Sequence, residues 1–164
     1  MKIDHYFKRI EESKEFKEFK KKNPKAYLCA GFFVLHYEQG KNAHQMDFCL
    51  PNGKIATFIL EEGIKMNISE SPFKVKAKLE EIPSTAKLDL DALKGIVEDE
   101  MKNRTVTESV KKIIAVLQIL DGRLVWNLNC IAGGLNIIQV HVDDVDGNIL
   151  KFEKHSIMEF MKKM

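Results

Sequence analysis

The sequence predicts an α+β fold built from two helix-plus-sheet units, and two observations support this prediction. Both halves of the chain follow the same order: a helix, a long apolar strand, an alternating strand, a turn and a returning strand. Each turn is an Asx-Gly pair, Asn52-Gly53 and Asp146-Gly147, whose residues accept the positive φ angles of tight hairpins. The 164 residues therefore divide into a first unit, 1–85, and a second unit, 86–164.

The first unit is expected to begin with a helix that Asp4 caps and that ends at Asn23-Pro24. One stripe of this helix is apolar, at Ile3, Tyr6, Phe7 and Ile10. Because Phe16 and Phe19 fall on a different face, we expect the helix to bend or restart near Ser13. Four strands should follow, at 25–37, 44–50, 55–60 and 73–82, the first of them apolar on both faces and therefore central.

The second unit is expected to begin with two helices. The first starts near Asp89 and places apolar residues on one face, at Leu93, Ile96, Val97 and Met101. The second follows a Thr105/Glu108 capping box, carries the stripe Val110, Ile113, Ile114 and Leu117, and ends at Asp121-Gly122. Strands at 124–131, 136–144 and 149–152 and a short helix at 156–164 complete the chain.

The two halves also align with each other when the first is shifted by 94 positions. Four identical pairs then coincide, Gln45 with Gln139, Gly53 with Gly147, Ile55 with Ile149 and Phe58 with Phe152. Met46 and Phe48 meet Val140 and Val142, so the two hairpins share the parity that decides which side chains are buried. The alignment favours a duplication, with the alternative that two hairpins with Asx-Gly turns look alike for local reasons.

The second half resembles a PepSY domain from the helix at Thr107 to Phe152. The family pattern of a turn, "G-x-x-V/Y-x-V" and "V-x-V-D-x-x-T-G-x-V/I-L" corresponds to Gly122, to Val125-Trp126-Asn127-Leu128, and to the run from Val140 to Leu150. Asp146 stands where the family usually has threonine. The resemblance implies a cystatin-like unit, a helix packed on a curled antiparallel sheet, and a non-catalytic module that holds partner proteins or proteases in check. Through the repeat it extends to residues 1–62, which gives two cystatin-like units.

Composition excludes several classes of protein. The 26 basic and 24 acidic residues leave a net charge of +2, too small for a field that attracts nucleic acid. The acidic residues near the start interrupt any signal peptide, and no later stretch is apolar for the length of a membrane span, so a cytoplasmic location is expected. Three scattered cysteines without a CxxC pair are interpreted as inert core thiols: Cys29, Cys49 and Cys130.

The candidate chemistry is weak, and no catalytic residue, metal ligand or cofactor is predicted. The acidic run from Val142 to Glu153 resembles a calcium loop but has Val142 where the first ligand is required. The histidines lack zinc-ligand spacing, and no phosphate-binding glycine motif is present. An enzyme is therefore not the favoured interpretation.

The favoured function is protein or peptide binding, with a partner strand added at a sheet edge or a partner seated in the concave sheet; a homodimer is a related option. The first alternative is a small-molecule or enzymatic pocket in a curled sheet, lined by Trp126, Asn129, Gln139 and His141. The second is nucleic-acid binding through the first helix, by Lys14, Lys17, Lys21 and Lys22. A membrane partner is not expected, and nucleic acid is disfavoured because glutamates alternate with these lysines.

Overall fold

One antiparallel sheet of eight strands organises the chain. The structure is a computed structural model that describes residues 1–70 and 79–162. The helices are α1 (Ile3–Glu11), α2 (Lys14–Lys22), α3 (Leu93–Asn103) and α4 (Ile157–Lys162). The strands are β1 (Tyr27–His36), β2 (Ala43–Cys49), β3 (Lys54–Leu60), β4 (Ile64–Glu70), β5 (Val110–Leu120), β6 (Arg123–Ala132), β7 (Asn136–Asp143) and β8 (Ile149–Ser156).

The strands lie in the order β4-β3-β2-β1-β5-β6-β7-β8, so the two halves of the chain meet at the centre of the sheet. There β1 and β5 pair antiparallel, from Gly31 opposite Leu117 to His36 opposite Lys112. The α+β content is as expected from the sequence. The prediction of two cystatin-like units, each with its own curled sheet, is wrong, because this central pairing makes a single continuous sheet.

The first half packs two helices on one face of the sheet through aromatic side chains. The restart of the helix at Ser13 is confirmed: the Ser13 hydroxyl accepts from the Phe16 amide at 3.1 Å and caps α2. This turn aims Phe16 and Phe19 at Phe48 of β2 and Phe58 of β3, with ring centroids 5.2 to 6.0 Å apart. The predicted cap at Asp4 is wrong, because α1 begins one residue earlier and the Asp4 carboxylate accepts from the Ala86 amide instead.

The second half packs one helix, α3, on the same face. The predicted apolar side of this helix is confirmed, since Leu93, Val97 and Met101 are buried and Ile96 packs against the same core. They cover an aliphatic layer from the sheet, Ile113, Ala115, Leu117, Leu128, Cys130, Ile138, Val140 and Val142. The hairpin residues that share a parity in the sequence are buried as well: Met46 and Phe48 in the first half, and Val140 and Val142 in the second. Leu50 and Ile138 are also buried.

Strand β5 occupies the segment for which the sequence pattern predicted a second helix. The helical stripe was a misreading of a central strand, because residues 110–120 are apolar at both parities and rich in β-branched side chains. Ile113, Ala115 and Leu117 face the helices, while Ile114 and Val116 face the other way. The capping box is not formed either. Glu108 binds Lys154 at 2.9 Å, and Thr105 has a positive φ of 57°.

Tight turns set the register of the sheet. The predicted hairpin turns at Asn52-Gly53 and Asp146-Gly147 are confirmed, with φ of 82° and 75° at the glycines. Asp121-Gly122 is not a helix end but a third such turn, joining β5 to β6 with φ of 50° and 75°.

The repeat proposed from the sequence pairs different strands from those related by the strand order of the sheet. A shift of 94 aligns β1, β2 and β3 with β6, β7 and β8, whereas the order of the strands about the centre relates β1 to β5 and β4 to β8. Strand β4 was not predicted. Most of the strand expected at 73–82 lies outside the described residues. The division at residue 85 falls in the segment between β4 and α3 and stays a prediction.

Candidate functional site: the open face of the sheet

The face of the sheet opposite the helices is the main candidate surface. Helices α1, α2 and α3 contact the other face, called here the covered face. On the open face, the central strands β1 and β5 present four half-buried apolar side chains: Phe32, Val34, Ile114 and Val116. Phe32 lies opposite Val116, and Val34 lies opposite Ile114, so the four form a compact block, the apolar stripe.

Strands β6 and β7 carry four uncharged hydrogen-bonding residues beside this stripe. Asn127 lies opposite His141, and Asn129 lies opposite Gln139. Val116 and Ile114 of the apolar stripe are the cross-strand neighbours of Asn127 and Asn129. Cross-strand neighbours on one face bring their Cβ atoms to about 4.5–5.5 Å, so these four residues, the polar quartet, form one patch.

A smaller polar group flanks the stripe on the other side, on β2 and β3. The Asp47 carboxylate accepts from the Thr57 hydroxyl at 2.8 Å and from the Gln45 amide at 3.3 Å. Burial raises the pKa of Asp47, although these two hydrogen bonds oppose the rise. Both groups that donate to the Asp47 carboxylate, a hydroxyl and an amide, are uncharged.

Charged side chains on the open face lie mostly towards its margins. Lys65 is on the edge strand β4, where it pairs with Glu61 at 3.4 Å. Lys151 and Glu153 are on the edge strand β8 and pair with each other at 3.7 Å. Arg123 binds the buried Asp143 at 3.2 Å at one end of β6. The centre of the face thus combines the apolar stripe and the uncharged polar quartet, with the Asp47 carboxylate beside them, and most other charges lie at the margins.

Two polar atoms in the quartet are buried without a hydrogen-bond partner among the described residues. They are Asn127 Oδ1 and His141 Nε2, on directly opposed residues. Burial lowers the pKa of His141, Lys151 lowers it further, and Glu153 partly opposes both. The imidazole is therefore neutral near pH 7. Native proteins pair most buried polar groups, so an adjacent unpaired couple is unusual.

The structure separates Trp126 from the other predicted ligand-binding residues. Asn129, Gln139 and His141 share the open face, as their parity predicts, but Trp126 points to the covered face and is fully buried. Its indole N–H donates to Asp144 Oδ1 at 2.9 Å, and the Asp144 carboxylate also accepts from the Lys87 and Leu88 amides. Asp144, directly after β7, thus joins the segment before α3 to Trp126 of β6. Asn127, on the same parity as Asn129, belongs to the patch in its place.

The carboxylates of the acidic turn after β7 accept hydrogen bonds from N–H groups of the chain. Asp143 Oδ1 accepts from the Val145 amide at 2.8 Å, Asp146 Oδ1 accepts from the Asn148 amide at 2.9 Å, and both Asp144 oxygens are taken. Within residues 1–70 and 79–162, no group of three or more His, Cys, Asp or Glu side chains is placed to hold a metal ion.

The lysines predicted for nucleic acid lie exposed on α2: Lys14, Lys17, Lys21 and Lys22. Phe16 and Phe19, which could have stacked on bases, are buried in the aromatic core instead. Glu15 and Glu18 are exposed on the same helix. Among residues 1–70 and 79–162, neither of these phenylalanines therefore forms an aromatic platform beside the lysines.

The thiols are free, and two of them are neighbours. Cys130 is fully buried in the core, with its pKa raised to about 12 by burial. Cys29 lies in a β-bulge of β1, where its thiol donates to the Asp47 carbonyl at 3.4 Å. Burial and the nearby thiol of Cys49 raise the pKa of Cys29, which keeps it protonated.

Two large clefts lie away from the polar quartet. One, of about 870 Å³, is bounded by α1 and the loops of β2 and β3 and includes Arg9, His44 and Glu61. The other, of about 640 Å³, lies beside α2 and is lined by Phe16, Phe48 and Ile82. Neither cleft contains a side chain that the sequence pattern pointed to for ligand binding.

Comparisons with known proteins do not identify the chain. It matches no protein-family profile and no curated protein. A solved structure that resembles it is that of a protein provisionally named a lipoprotein, from Clostridium difficile 630. The likeness has a TM-score of 0.47 and 16% sequence identity over 86% of this chain and 90% of that one, too weak to carry function. Among the described helices, none is long and apolar enough to cross a membrane.

Proposed function

We propose that the chain is a non-catalytic protein-binding module and that its partner docks on the open face of the sheet. The carrying observation is the arrangement of that face: the apolar stripe at the centre, the uncharged polar quartet on one side, the Asp47 group on the other, and the remaining charges mostly at the margins. Protein interfaces share this order, because their centres are depleted in charge and their rims are polar.

The chemistry of the partner follows from the same arrangement. A partner that covers the apolar stripe gains about 25 cal/mol for each Å² of apolar surface removed from water. Its surface should therefore present apolar side chains to Phe32 and Val116, and uncharged donors and acceptors to the polar quartet. A charged partner surface would be disfavoured, since the quartet offers no formal charge to compensate its desolvation.

The small-molecule alternative has less support. Its four residues are divided between the two faces of the sheet, with Trp126 on the covered face and its N–H already bonded to Asp144.

Site-specific photo-crosslinking tests the docking surface. A benzophenone amino acid replaces Val116 at the centre of the open face, and in a matched control it replaces Leu150, an exposed apolar residue on the edge strand β8. In cells of the native host, we expect the Val116 position to capture a partner that the Leu150 position does not.

The affinity of the purified partner for variants of the chain then tests whether it docks on the open face. Phe32→Glu or Val116→Glu should weaken its affinity at least about tenfold, as charges do at the centre of an interface, and Leu150→Glu should not. Equal affinity for all three variants would contradict docking on the open face. Capture of the chain by itself would identify the partner as a second copy, and sedimentation of the purified protein would then show a dimer.

A further inference from the structure

We infer that β4 is a self-association edge, through which two copies of the chain pair antiparallel and join their sheets into one. The inference goes beyond the proposed function, since it concerns an edge of the sheet and not the open face. It starts from the exposed backbone of β4. In the part of the chain that the structure describes, β4 pairs with β3 alone, and no strand lies on its outer side. The outward N–H and C=O groups of such an edge are a template for a further strand.

The opposite edge of the sheet, β8, has the usual protection against added strands. Lys151 and Glu153 place charges on its open side, and Lys154 places one on its covered side. The register with β7 also shifts at Leu150, which is left without a partner residue. Charges and bulges of this kind are the devices that keep edge strands from pairing with another chain.

Strand β4 lacks this protection. All seven of its residues pair with β3 without a register shift. The segment 66–69 is uncharged and contains no proline. Lys65, before it, is paired with Glu61 at 3.4 Å. Glu70, after it, is paired with Lys54 at 3.9 Å. The edge therefore offers an uncharged centre to a further strand, and its two charges already have partners within the chain.

Met66 and Ile68 add an apolar surface on the covered side of this edge. They are 36% and 49% exposed, and Met66 lies opposite the buried Phe58 at the border of the core. Beside them a cleft of about 380 Å³ opens between β4 and α2, where Phe19 forms part of its lining. A strand added to β4 would cover this surface, so that apolar burial supplements the main-chain hydrogen bonds.

A second copy of the chain fits the edge because β4 is complementary to itself. In a two-fold antiparallel pair centred on Asn67, Met66 of each copy lies opposite Ile68 of the other. The four apolar side chains then form one cluster on the covered side. On the open side the two Asn67 amides face each other, and each offers both a donor and an acceptor.

The charges of β4 select this register among the two-fold alternatives. A pair centred on Lys65 would oppose two ammonium groups, and a pair centred on Glu70 would oppose two carboxylates, which is destabilising in both cases. Centred on Asn67, the pair includes the whole of each β4, and both charged residues face uncharged ones, Ser69 and Ile64. Centres one residue to either side shorten the paired stretch.

Sedimentation equilibrium of the purified full chain tests the interface. We expect a reversible equilibrium between monomer and dimer. Ile68→Lys points a charge into the covered side of the edge, and it should raise the dissociation constant of the dimer at least about tenfold, because like charges then meet at its centre. Leu150→Lys, the matched control on β8, should leave the dissociation constant unchanged. Both residues are exposed, so neither variant loses core packing.

Disulfide trapping tests the register. With copper–phenanthroline as the oxidant, Asn67→Cys should give a covalent dimer, because its thiol faces the same thiol of the second copy. Ser69→Cys alone should not, but a mixture of Ser69→Cys with Lys65→Cys should. The unaltered chain, with its three native cysteines, provides the background.

Several results would overturn the inference. They are a monomer at every concentration up to the solubility limit, a dimer that Ile68→Lys leaves intact, or equal trapping of Ser69→Cys alone and Asn67→Cys. Assemblies that grow beyond a dimer would do so too, since they would indicate pairing between β4 and β8. Phe32→Glu separates this interface from the docking surface: a dimer held by β4 persists in this variant, whereas a dimer held by the open face is lost. A monomeric chain would leave the docking proposal standing, and failure of docking would leave the dimer.

Discussion

The two faces of the sheet are built from the same strands but obey different rules. On the covered face, Phe33, Leu117, Leu128 and Val140 are fully buried and belong to one continuous core. On the open face, their sequence neighbours Phe32, Val116, Asn127 and His141 are only half-buried, and the last two carry unpaired polar atoms. This difference indicates that the covered face provides most of the stability, so that the open face can carry a binding surface.

The adjacent phenylalanines of β1 provide the largest test of this comparison. Phe33 is fully buried and packs against Tyr6 and Trp126, with ring centroids 6.1 and 5.8 Å away. Phe33→Ala should therefore lower the free energy of unfolding by about 3–5 kcal/mol, the usual cost of a large cavity. Phe32→Ala, one residue earlier on the open face, should cost less than half of that.

Urea unfolding of both variants checks this expectation, with m-values confirming that each variant unfolds in one cooperative transition. Equal losses would mean that the open face is packed as tightly as the covered one, and the assignment of the two faces to different roles would fail.

Two glycines offer a test of intermediate size. A Cβ atom at Gly31, on the covered side of β1, would lie 2.8 Å from a ring carbon of the buried Phe33. Gly31→Ala should therefore destabilise the protein by about 1–3 kcal/mol through overpacking. Gly95 is exposed within α3, and a Cβ atom there would meet no other atom within 4 Å, so Gly95→Ala should stabilise by about 0.5–1 kcal/mol.

Thermal and urea unfolding of the two variants should therefore give changes of opposite sign. A neutral Gly31→Ala would show that the Phe33 ring can move aside, and that the covered face is less rigid than its burial indicates.

The sequence predicted those parts of the fold that are decided by residues close together in the chain. Hairpin turns and the parity of β2 and β7 were readable because Asx-Gly pairs and alternation are decided by neighbours in the chain. The run from Val110 to Leu120 was misread, because apolar side chains at both parities fit a helix stripe as well as a central strand. The same signature in residues 25–37 correctly indicates the central strand β1. Local patterns do not contain the pairing of β1 with β5, because the two strands are distant in the sequence.

The candidate site was predictable to a similar extent. Alternation places Asn129, Gln139 and His141 on one face, whereas the predicted pocket wrongly joined Trp126 to them. The apolar stripe could not be located in advance, since it exists only where β1 meets β5. The unpaired atoms of Asn127 and His141 could not be inferred either, because hydrogen-bond satisfaction depends on every neighbour in space.

The smallest expected effect concerns two histidines, one on each face. Burial lowers the pKa of His44, which stacks on Tyr6 with ring centroids 4.2 Å apart, and Arg9 and the N-terminal amine lower it further. Burial also lowers the pKa of His141 on the open face. Both groups bind protons more weakly in the folded chain than in the unfolded chain, whose reference pKa is 6.5. The stability that they contribute is therefore present above pH 6.5 and is lost as the pH falls through the folded pKa values.

Replacing each histidine with phenylalanine separates the contributions of His44 and His141 to stability. The free energy of unfolding is measured from about pH 7.5 down to about pH 5, a range that spans the unperturbed histidine pKa. The raised pKa of Asp47 acts in the opposite sense at acid pH, so each variant is compared with the unaltered chain and not with an absolute slope. His44→Phe and His141→Phe should each flatten the acid-side loss. His141→Phe should in addition leave the protein at least as stable at pH 7.5, because it removes a buried unpaired nitrogen. A clear loss of stability at that pH would show that His141 is already satisfied in the free protein, and that the open face holds no unused hydrogen-bonding capacity at this position.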